Sequence, residues 1–163
     1  MDGQFQKAGF HEEKIWEVHG SIHYFQCTQN CTNAIWDAKE EKVYVDMKKF
    51  QARNLPLCPK CGEVARPNIL MFGDWGWNDG RSNAQEQRYR KWIKQIERSN
   101  QKLAIIEMGA GTAIPTVRMV GDNLSKHLPN ASLIRINPRE SEVALAKNIS
   151  LDCGALDGLK KIF

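Results

Sequence analysis

Four cysteines in two close pairs are the residues of this chain whose spacing most clearly predicts chemistry. Cys27 and Cys31 are separated by three residues in a C-x-x-x-C pair, and Cys58 and Cys61 belong to the sequence C-P-K-C-G. Two such pairs, separated by a polar stretch, have the spacing of a tetrahedral four-cysteine zinc site in which each pair holds one edge of the metal. Because four sulfur ligands leave no open position, the predicted zinc is structural and any catalysis lies elsewhere.

One histidine upstream of the cysteines is the candidate for catalysis. His19 lies in the sequence E-V-H-G-S at 17–21. An imidazole titrates near neutral pH, so it can serve as a general base. A single histidine can equally well be structural, and its residue type leaves both interpretations open.

Composition and length set the class of protein. The 163 residues are 42% hydrophobic and 26% charged, typical of a globular domain, or of one domain with a small inserted module. Five cysteines without a secretory signal predict a reducing, cytoplasmic location and metal-bound thiolates rather than disulfides. No apolar run approaches the ~20 residues of a membrane span, so no membrane partner is expected. The net charge of +4 is mild and its basic residues are dispersed, which disfavours a nucleic-acid partner.

Residues 83–163 alternate between helix and strand patterns. Strands are predicted at 102–108 and 132–136, and helices after Pro115 and over 155–162. Another helix is predicted to begin at Asn83, with Gln85 on its polar face. The apolar face of that helix comprises Tyr89, Trp92, Ile93 and Ile96. The apolar face of the helix after Pro115 comprises Val117, Val120, Leu124 and Leu128. The fold class is therefore α/β, part of a Rossmann-like doubly wound parallel sheet with a small inserted four-cysteine zinc module.

Polar and glycine residues follow both predicted strands. The first strand ends in G-A-G-T at 109–112, and the second ends in Asn137-Pro138. Such residues at the carboxyl ends of parallel strands let backbone N–H groups approach a phosphate or ribose. Ile114 stands where a dinucleotide fingerprint has its third glycine, so a plain tight turn is the alternative.

Three features of the N-terminal half predict structure or function less specifically than the cysteine pairs do. Residues 13–19 predict a strand that runs into a turn at Gly20, and 43–45 predict a small strand. An extended apolar segment over 65–77 contains two tryptophans between glycines, which suggests a surface for an extended peptide ligand. Alternatively, Trp75 and Trp77 cover the core.

Taken in order, these pieces resemble the sirtuins, the NAD-dependent protein lysine deacylases, over essentially the whole chain. The segments that carry the resemblance are D-G at 2–3, E-V-H-G-S at 17–21, the four cysteines, R-P-N-I-L-M-F-G-D at 66–74, G-T at 111–112, I-N at 136–137 and C-G-A at 153–155. Departures are the three-residue spacing of the first cysteine pair and Asp74, where the family has Glu.

The resemblance implies roles for individual residues. His19 would be the catalytic base. The structural zinc would be held by Cys27, Cys31, Cys58 and Cys61. NAD would be bound by Asp2, Gly109, Gly111, Thr112, Asn137, Cys153 and Ala155. The acyl-lysine peptide would contact Leu70, Phe72, Gly73, Asp74 and Trp75.

The resemblance also implies an organisation and a reaction. Residues 1–23 would form the catalytic-histidine segment of the Rossmann-like domain, 24–64 the zinc module, and 65–163 the substrate loop and the C-terminal half of the NAD-binding domain. The reaction would convert acyl-lysine and NAD to lysine, nicotinamide and O-acyl-ADP-ribose.

The sirtuin G-A-G-x-S segment is not among these residues. We therefore expect a portion of a sirtuin that is inactive alone and whose sheet is completed by a missing N-terminal half or by a homo-oligomer. Two alternatives remain. The first is a zinc-stabilised peptide-binding module without catalysis, and the second is a sirtuin-like NAD hydrolase or ADP-ribosyltransferase.

Overall fold

The structure of this chain, a computed structural model, describes residues 1–39 and 41–163. They form two compact units, residues 1–91 and 92–163. The predicted division into segments 1–23, 24–64 and 65–163 is a different one, based on function, and it stays a prediction. None of the helices in the described residues combines the length and the apolar composition that a bilayer crossing requires.

The first unit is built on one long strand. Its elements are helix α1 (Gln4–Lys7), a 3-10 turn (Glu12–Lys14), strands β1 (Gly20–Cys27), β2 (Trp36–Asp37), β3 (Val45–Asp46), β4 (Gln51–Ala52) and β5 (Ala65–Ile69), and the beginning of helix α2 (Gly80–Arg98). Strand β1 lies between β2 and β5 and is antiparallel to both. Strands β3 and β4 form a separate antiparallel pair.

The pairing of β1 with β5 depends on a glycine at the start of β1. Gly20 lies opposite Ile69, and Cys27, at the other end of β1, lies opposite Ala65. Gly20 has a φ of +76°, and a Cβ at this position would lie 2.0 Å from the carbonyl oxygen of Asn68. Only a residue without a side chain allows this backbone conformation and this close approach.

The strand predicted at 13–19 is wrong. A 3-10 turn covers Glu12–Lys14, and β1 begins at Gly20, where the sequence predicts a turn. Glu17 shows the physical reason. Its N–H donates to the Gln85 side chain, 2.9 Å away, and its carboxylate pairs with Arg81, so side chains of α2 replace a neighbouring strand.

The small strand predicted at 43–45 overlaps β3 only at Val45. The Asn54 side chain accepts the N–H of Tyr44 at 2.8 Å and donates to the carbonyl of Lys42 at 2.7 Å. An amide side chain therefore satisfies backbone groups that a longer strand would pair.

Helix α2 differs from its prediction at both its start and its buried face. It begins at Gly80 rather than Asn83, and the Asn78 side chain accepts the Gly80 N–H at 3.1 Å. Gln85, predicted on the polar face, is buried because it accepts the N–H of Glu17. Trp92, predicted on the apolar face, is half-exposed.

The second unit is a three-stranded parallel sheet with its helices. Its elements are the end of α2, then β6 (Leu103–Met108), α3 (Thr116–His127), β7 (Ala131–Ile136), β8 (Ile149–Leu151) and α4 (Ala155–Ile162), with strand order β6-β7-β8. The predicted strands at 102–108 and 132–136 and the helices after Pro115 and over 155–162 are confirmed. Strand β8 is not predicted, because three residues are too short to show a periodic pattern.

The buried face of α3 matches the predicted apolar one only in part, since Leu128 is buried and Val120 and Leu124 are half-buried. Val117 is exposed, whereas Gly121 and Ser125 are buried. These small residues let the helix lie close against the sheet, near the fully buried Leu133. Leu128, the last residue of the predicted face, is buried as expected.

The requirement for glycine at the start of β1 is testable. Gly20→Ala is expected to lower the free energy of unfolding by about 3 kcal/mol, because it adds an unfavourable φ and a backbone collision. Gly9→Ala is the matched control, since Gly9 also has a positive φ, +86°, but no atom within 4 Å of an added Cβ. We expect about 1 kcal/mol for the control. Urea denaturation of both variants measures the difference, and equal losses would contradict the close-approach argument.

Candidate functional site

The four cysteines form one compact cluster in the first unit. Their sulfur atoms all lie within 4.8 Å of one another. The Sγ atoms of Cys27 and Cys61 are 3.6 Å apart, as are those of Cys31 and Cys58. Tetrahedral zinc with Zn–S bonds of about 2.3 Å requires sulfur–sulfur distances of about 3.8 Å. The cluster therefore fits zinc in both ligand type and spacing.

Backbone hydrogen bonds build the cluster between β1 and β5. Cys27 is the last residue of β1, and Thr28 donates its N–H to the carbonyl of Val64 at 3.1 Å. In the second cysteine pair, Cys58 donates its N–H to the carbonyl of Glu63 at 2.7 Å and accepts the Gly62 N–H at 2.9 Å through its own carbonyl. Cys27 and Cys58 are almost fully buried. The cluster thus joins the end of β1 to the loop that leads into β5.

The backbone prepares the first cysteine of each pair to bind a metal. The N–H of Cys31 lowers the pKa of the Cys27 thiol, and the N–H of Cys61 lowers the pKa of Cys58 to about 6. The hydrogen bond with the Cys61 side chain raises the pKa of Cys31 to about 12. Because zinc binds thiolates, metal binding must release protons from this cluster. With four sulfur ligands the metal would stabilise the fold without activating water.

His19 lies directly before β1, where the chain turns. Gly20 donates its N–H to the carbonyl of Glu17 at 2.9 Å, and Leu70 donates its N–H to the carbonyl of His19 at 3.1 Å. The imidazole is half-buried, and it makes no hydrogen bond within residues 1–39 and 41–163. The main chain is therefore held in place while the ring nitrogens stay available to a ligand.

Side chains of α2 hold the residues before His19. Ser82 accepts a hydrogen bond from the Trp16 indole at 3.2 Å and donates its own to the carbonyl of Glu17 at 3.1 Å. Arg81 pairs with the Glu17 carboxylate at 2.6 Å, and its guanidinium lies 3.9 Å from the centre of the Tyr24 ring. No motif in the sequence marks Arg81 or Ser82 as part of the site. The available signal was that Ser82 lies at helical spacing from Tyr89 and Ile96, on the same face of α2.

Asp74 is bound by the loop that contains it. Its carboxylate forms a two-point ion pair with Arg66, with one N–O distance of 3.0 Å, and accepts the N–H groups of Met71 and Gly76 at 3.3 and 3.1 Å. The Arg66 guanidinium lowers the pKa of Asp74. Arg66 also donates to the carbonyl of Ile69 at 2.8 Å. Asp74 therefore sets the shape of the loop after β5, and its predicted contact with substrate stays a prediction.

The same loop presents large apolar side chains to solvent. Phe72 is 90% exposed and Trp75 is 99% exposed. Leu70 is 37% exposed, whereas Trp77 is half-buried. The alternative that both indoles cover the core is therefore wrong for Trp75. Gly73, between these residues, is exposed with a φ of +66°.

A buried amide network, which no sequence motif predicts, supports this loop. Gln26 donates to the carbonyl of Gly76 at 2.6 Å and accepts from the Asn68 side chain at 2.9 Å and the Asn78 N–H at 3.0 Å. Gln26 and Asn68 are each 1% exposed. Their backbones belong to β1 and β5, so the network fixes the loop to the sheet.

The start of the chain attaches to β1, the strand that follows His19. Ile22 donates its N–H to the carbonyl of Met1, and the His23 ring bonds the carbonyl of Asp2, both at 3.0 Å. The Asp2 side chain is exposed and accepts the Gln4 N–H at 3.2 Å. The first unit thus brings Asp2 and His19, predicted to serve one reaction, to the beginning of β1.

In the second unit, the predicted nucleotide residues meet at one edge of the sheet. Met108 lies opposite Ile136 in the β6–β7 pair, and Ile136 lies opposite Leu151 in the β7–β8 pair. The carboxyl ends of all three strands are therefore level. The predicted residues lie just after these ends, in the connections that follow β6, β7 and β8 and at the start of α4: Gly109, Gly111, Thr112, Asn137, Cys153 and Ala155.

Asn137 connects two of these loops. Its side-chain carbonyl oxygen accepts the N–H groups of Arg139 and Glu140, each at 3.0 Å, and its side-chain amide donates to the carbonyl of Ala110 at 3.3 Å. The Asn137 side chain therefore orders the turn that follows β7. Its predicted contact with NAD stays a prediction.

Two residues absent from the sequence prediction organise the glycine-rich turn. Glu140 accepts the N–H of Thr112 at 3.1 Å and the Thr112 hydroxyl hydrogen bond, which together lower the pKa of Glu140. Arg118 donates to three carbonyls, those of Ala110 at 3.2 Å, Glu140 at 2.7 Å and Glu142 at 3.2 Å. No sequence signal marks them, because both act between loops that are far apart in the chain.

Comparison with protein families supports the predicted resemblance. The sequence model of the Sir2 family matches residues 1–88. An NAD-dependent protein deacylase of Aquifex aeolicus is 26% identical over 164 residues, which cover 100% of this chain and 58% of that protein. An NAD-dependent protein deacetylase of Thermotoga maritima is 33% identical over 76 residues, which cover 45% of this chain and 26% of that protein. The chain thus spans only part of the length of these relatives.

Solved structures show the same fold. A Sir2 homolog in complex with NAD is similar with a TM-score of 0.61 and 19% identity, over 99% of this chain and 53% of that one. Sir2Tm bound to a propionylated peptide is similar with a TM-score of 0.62 and 19% identity, over 98% and 58%. The predicted fold class, α/β with a Rossmann-like parallel sheet and a four-cysteine module, is confirmed.

The metal assignment has a matched control within the chain. Cys58→Ser is expected to abolish stable zinc binding, because it removes a buried ligand whose thiolate the backbone stabilises. Cys153→Ser should keep about one equivalent of zinc, because Cys153 lies in the second unit, outside the cluster. Metal analysis of the purified variants by mass spectrometry measures the stoichiometry. Full zinc content in Cys58→Ser would contradict a four-cysteine site.

Proposed function

Because this chain belongs to the Sir2 family, we propose that it provides the histidine, zinc and C-terminal nucleotide-binding parts of an NAD-dependent protein lysine deacylase. The observation that carries this proposal is the family match over residues 1–88, which include His19 and all four clustered cysteines. The names of the Aquifex and Thermotoga relatives point to the same activity.

His19 would be the general base of this reaction. Bound NAD supplies an activated ribose with nicotinamide as its leaving group. The imidazole of His19 would remove the proton from a ribose hydroxyl, for which it needs a free ring nitrogen. The half-buried ring has no hydrogen bond within the described residues, while its main chain is held by Leu70. This combination of a fixed backbone and an available ring suits a positioned base.

NAD and peptide would use different parts of the chain. The carboxyl edge of the second unit, with Gly109, Thr112 and Asn137, would bind the nucleotide. The exposed Phe72 and Trp75 after β5 would contact an acyl-lysine peptide. Sir2Tm was solved with a propionylated peptide, which supports a peptide substrate here. With one water consumed, the products would be lysine, nicotinamide and O-acyl-ADP-ribose, formed in the cytoplasm.

Binding of NAD is the first test of the proposal. Calorimetric titration of NAD into the zinc-loaded chain is expected to show saturable binding, because the carboxyl edge of the sheet is assembled within residues 92–163. In a second experiment, an acetyl-lysine peptide is titrated into the same zinc-loaded chain. Peptide binding without NAD binding would instead favour the zinc-stabilised binding module, for which the exposed Phe72 and Trp75 are the specific evidence.

Catalysis by His19 requires a separate test. The assay protein is a chimera that joins this chain to the part of the Aquifex relative outside the matched region. His19→Ala is expected to lower deacylation by at least ~10²-fold, because a general base contributes ~10²–10⁴-fold in rate. Zinc content should not change. His11→Ala, at an exposed position, serves as the control.

Two outcomes of this assay separate the hypotheses. Retained deacylation in His19→Ala would remove His19 from the mechanism. NAD consumption without any peptide would favour the hydrolase or transferase alternative. The expectation that the 163 residues are inactive alone stays a prediction, which the same assay measures without the added segment.

A further inference from the structure

The glycine-rich turn after β6 already holds an anion, and this anion belongs to the chain itself. The Glu140 carboxylate accepts the N–H of Thr112 at 3.1 Å with one oxygen and the Thr112 hydroxyl hydrogen bond with the other. A backbone N–H and a hydroxyl beside a glycine are the donors that such turns offer to a phosphate. Here both donors are occupied by a side chain from the loop after β7.

The turn is shaped to admit this carboxylate. A Cβ added to Gly111 would lie 2.9 Å from a carboxylate oxygen of Glu140. Any larger residue at position 111 would therefore push the carboxylate away from Thr112. The glycine clears space for the Glu140 side chain in the same way that such glycines clear space for a ligand.

The loop that carries Glu140 is held in place from several sides. The Asn137 side chain accepts the N–H of Glu140 at 3.0 Å, and Arg118 donates to the Glu140 carbonyl at 2.7 Å. Arg135, which is 2% exposed, donates to the carbonyl of Glu142 at 2.8 Å. The contact between Glu140 and Thr112 is therefore part of a built arrangement and not the chance position of a free side chain.

We infer that Glu140 determines how strongly this edge of the sheet binds anionic ligands, because a phosphate can reach the donors of Thr112 only by displacing the Glu140 carboxylate. The inference rests on the proposed nucleotide site. Glu140 lowers the affinity for a ligand in proportion to the negative charge that the ligand brings to the turn. A neutral nucleoside is not repelled by the carboxylate, whereas a pyrophosphate experiences the full electrostatic repulsion.

The hydrogen bonds from Thr112 lower the pKa of Glu140, so the carboxylate is charged at neutral pH. Arg118 and Arg139 lie close enough to stabilise that charge. The positive charge of both guanidinium groups would also act on a phosphate once Glu140 is neutral or displaced, although Arg118 stays bonded to its three carbonyls. Removing the charge of the Glu140 carboxylate should therefore allow the donors of Thr112 to bind an external anion.

The test is a series of ligands of increasing charge, titrated calorimetrically into the zinc-loaded chain and into its Glu140→Gln variant. The ligands are adenosine, AMP, ADP, NAD and inorganic pyrophosphate. Glu140→Gln should bind pyrophosphate and ADP about tenfold more tightly than the unmodified chain, because a like charge at hydrogen-bonding distance is removed. AMP and NAD should gain less, and adenosine should not change.

Glu142→Gln is the matched control. It removes the same charge from the same loop, but within the described residues Glu142 contributes only its carbonyl to the hydrogen bonds. Its affinities should equal those of the unmodified chain. The double variant Thr112→Val, Glu140→Gln should lose the gain in pyrophosphate affinity, because the hydroxyl donor is gone. Equal thermal unfolding of all variants excludes a fold defect as the cause.

Each possible result either overturns or supports the role inferred for Glu140. Equal affinities of Glu140→Gln and the unmodified chain for ADP and pyrophosphate would overturn the inference. So would weaker binding of adenosine to Glu140→Gln, since Glu140 would then accept ligand hydroxyls instead of blocking phosphates. A gain for pyrophosphate without any NAD binding would support the inference and count against the proposed NAD function alone.

Discussion

The antiparallel pairing of β1 with β5 is the interaction on which the first unit depends. At one end of this pair, Gly20 lies so close to Asn68 that no side chain is tolerated, and His19 and Leu70 are joined by a main-chain hydrogen bond. At the other end, Cys27 and Ala65 lead into the cysteine cluster. The candidate catalytic residue and the candidate metal site therefore lie at opposite ends of the β1–β5 pair.

This arrangement explains why a structural metal matters to a site that it does not enter. Zinc held by the cluster would join β1 to the loop before β5, in a region whose strands β3 and β4 are only two residues long each. Such short strands contribute little stability of their own. Metal binding would supply the missing free energy and so keep the end of the β1–β5 pair closed.

Polar side chains of the chain itself occupy many of the groups that a ligand would otherwise use. Asp74 is taken up by Arg66 and by two backbone N–H groups, and Glu140 occupies the donors of Thr112. In both loops an acidic residue orders a glycine-containing turn. The loops therefore have defined shapes without ligand, and an anionic ligand at Thr112 would have to displace the Glu140 carboxylate.

The sequence alone determined the chemistry of the cysteine cluster and the α/β pattern of residues 102–136. Ligand type and pair spacing are local properties, and so are the apolar runs of β6 and β7. The order of the matched segments was enough to identify the family. Local patterns failed where long-range contacts decide, as at residues 13–19, which bond to α2 side chains instead of forming a strand.

Only the tertiary structure revealed the roles of Gln26, Arg81, Arg118 and Glu140. Each of these residues bonds to groups between 22 and 64 residues away in the chain, and no spacing rule connects them. Periodicity reports which face of an element is apolar, so a buried polar residue such as Gln85 is assigned to the wrong face. Hydrogen-bond partners across the fold decide such positions, because a polar group is buried at low cost only when its partners are in place.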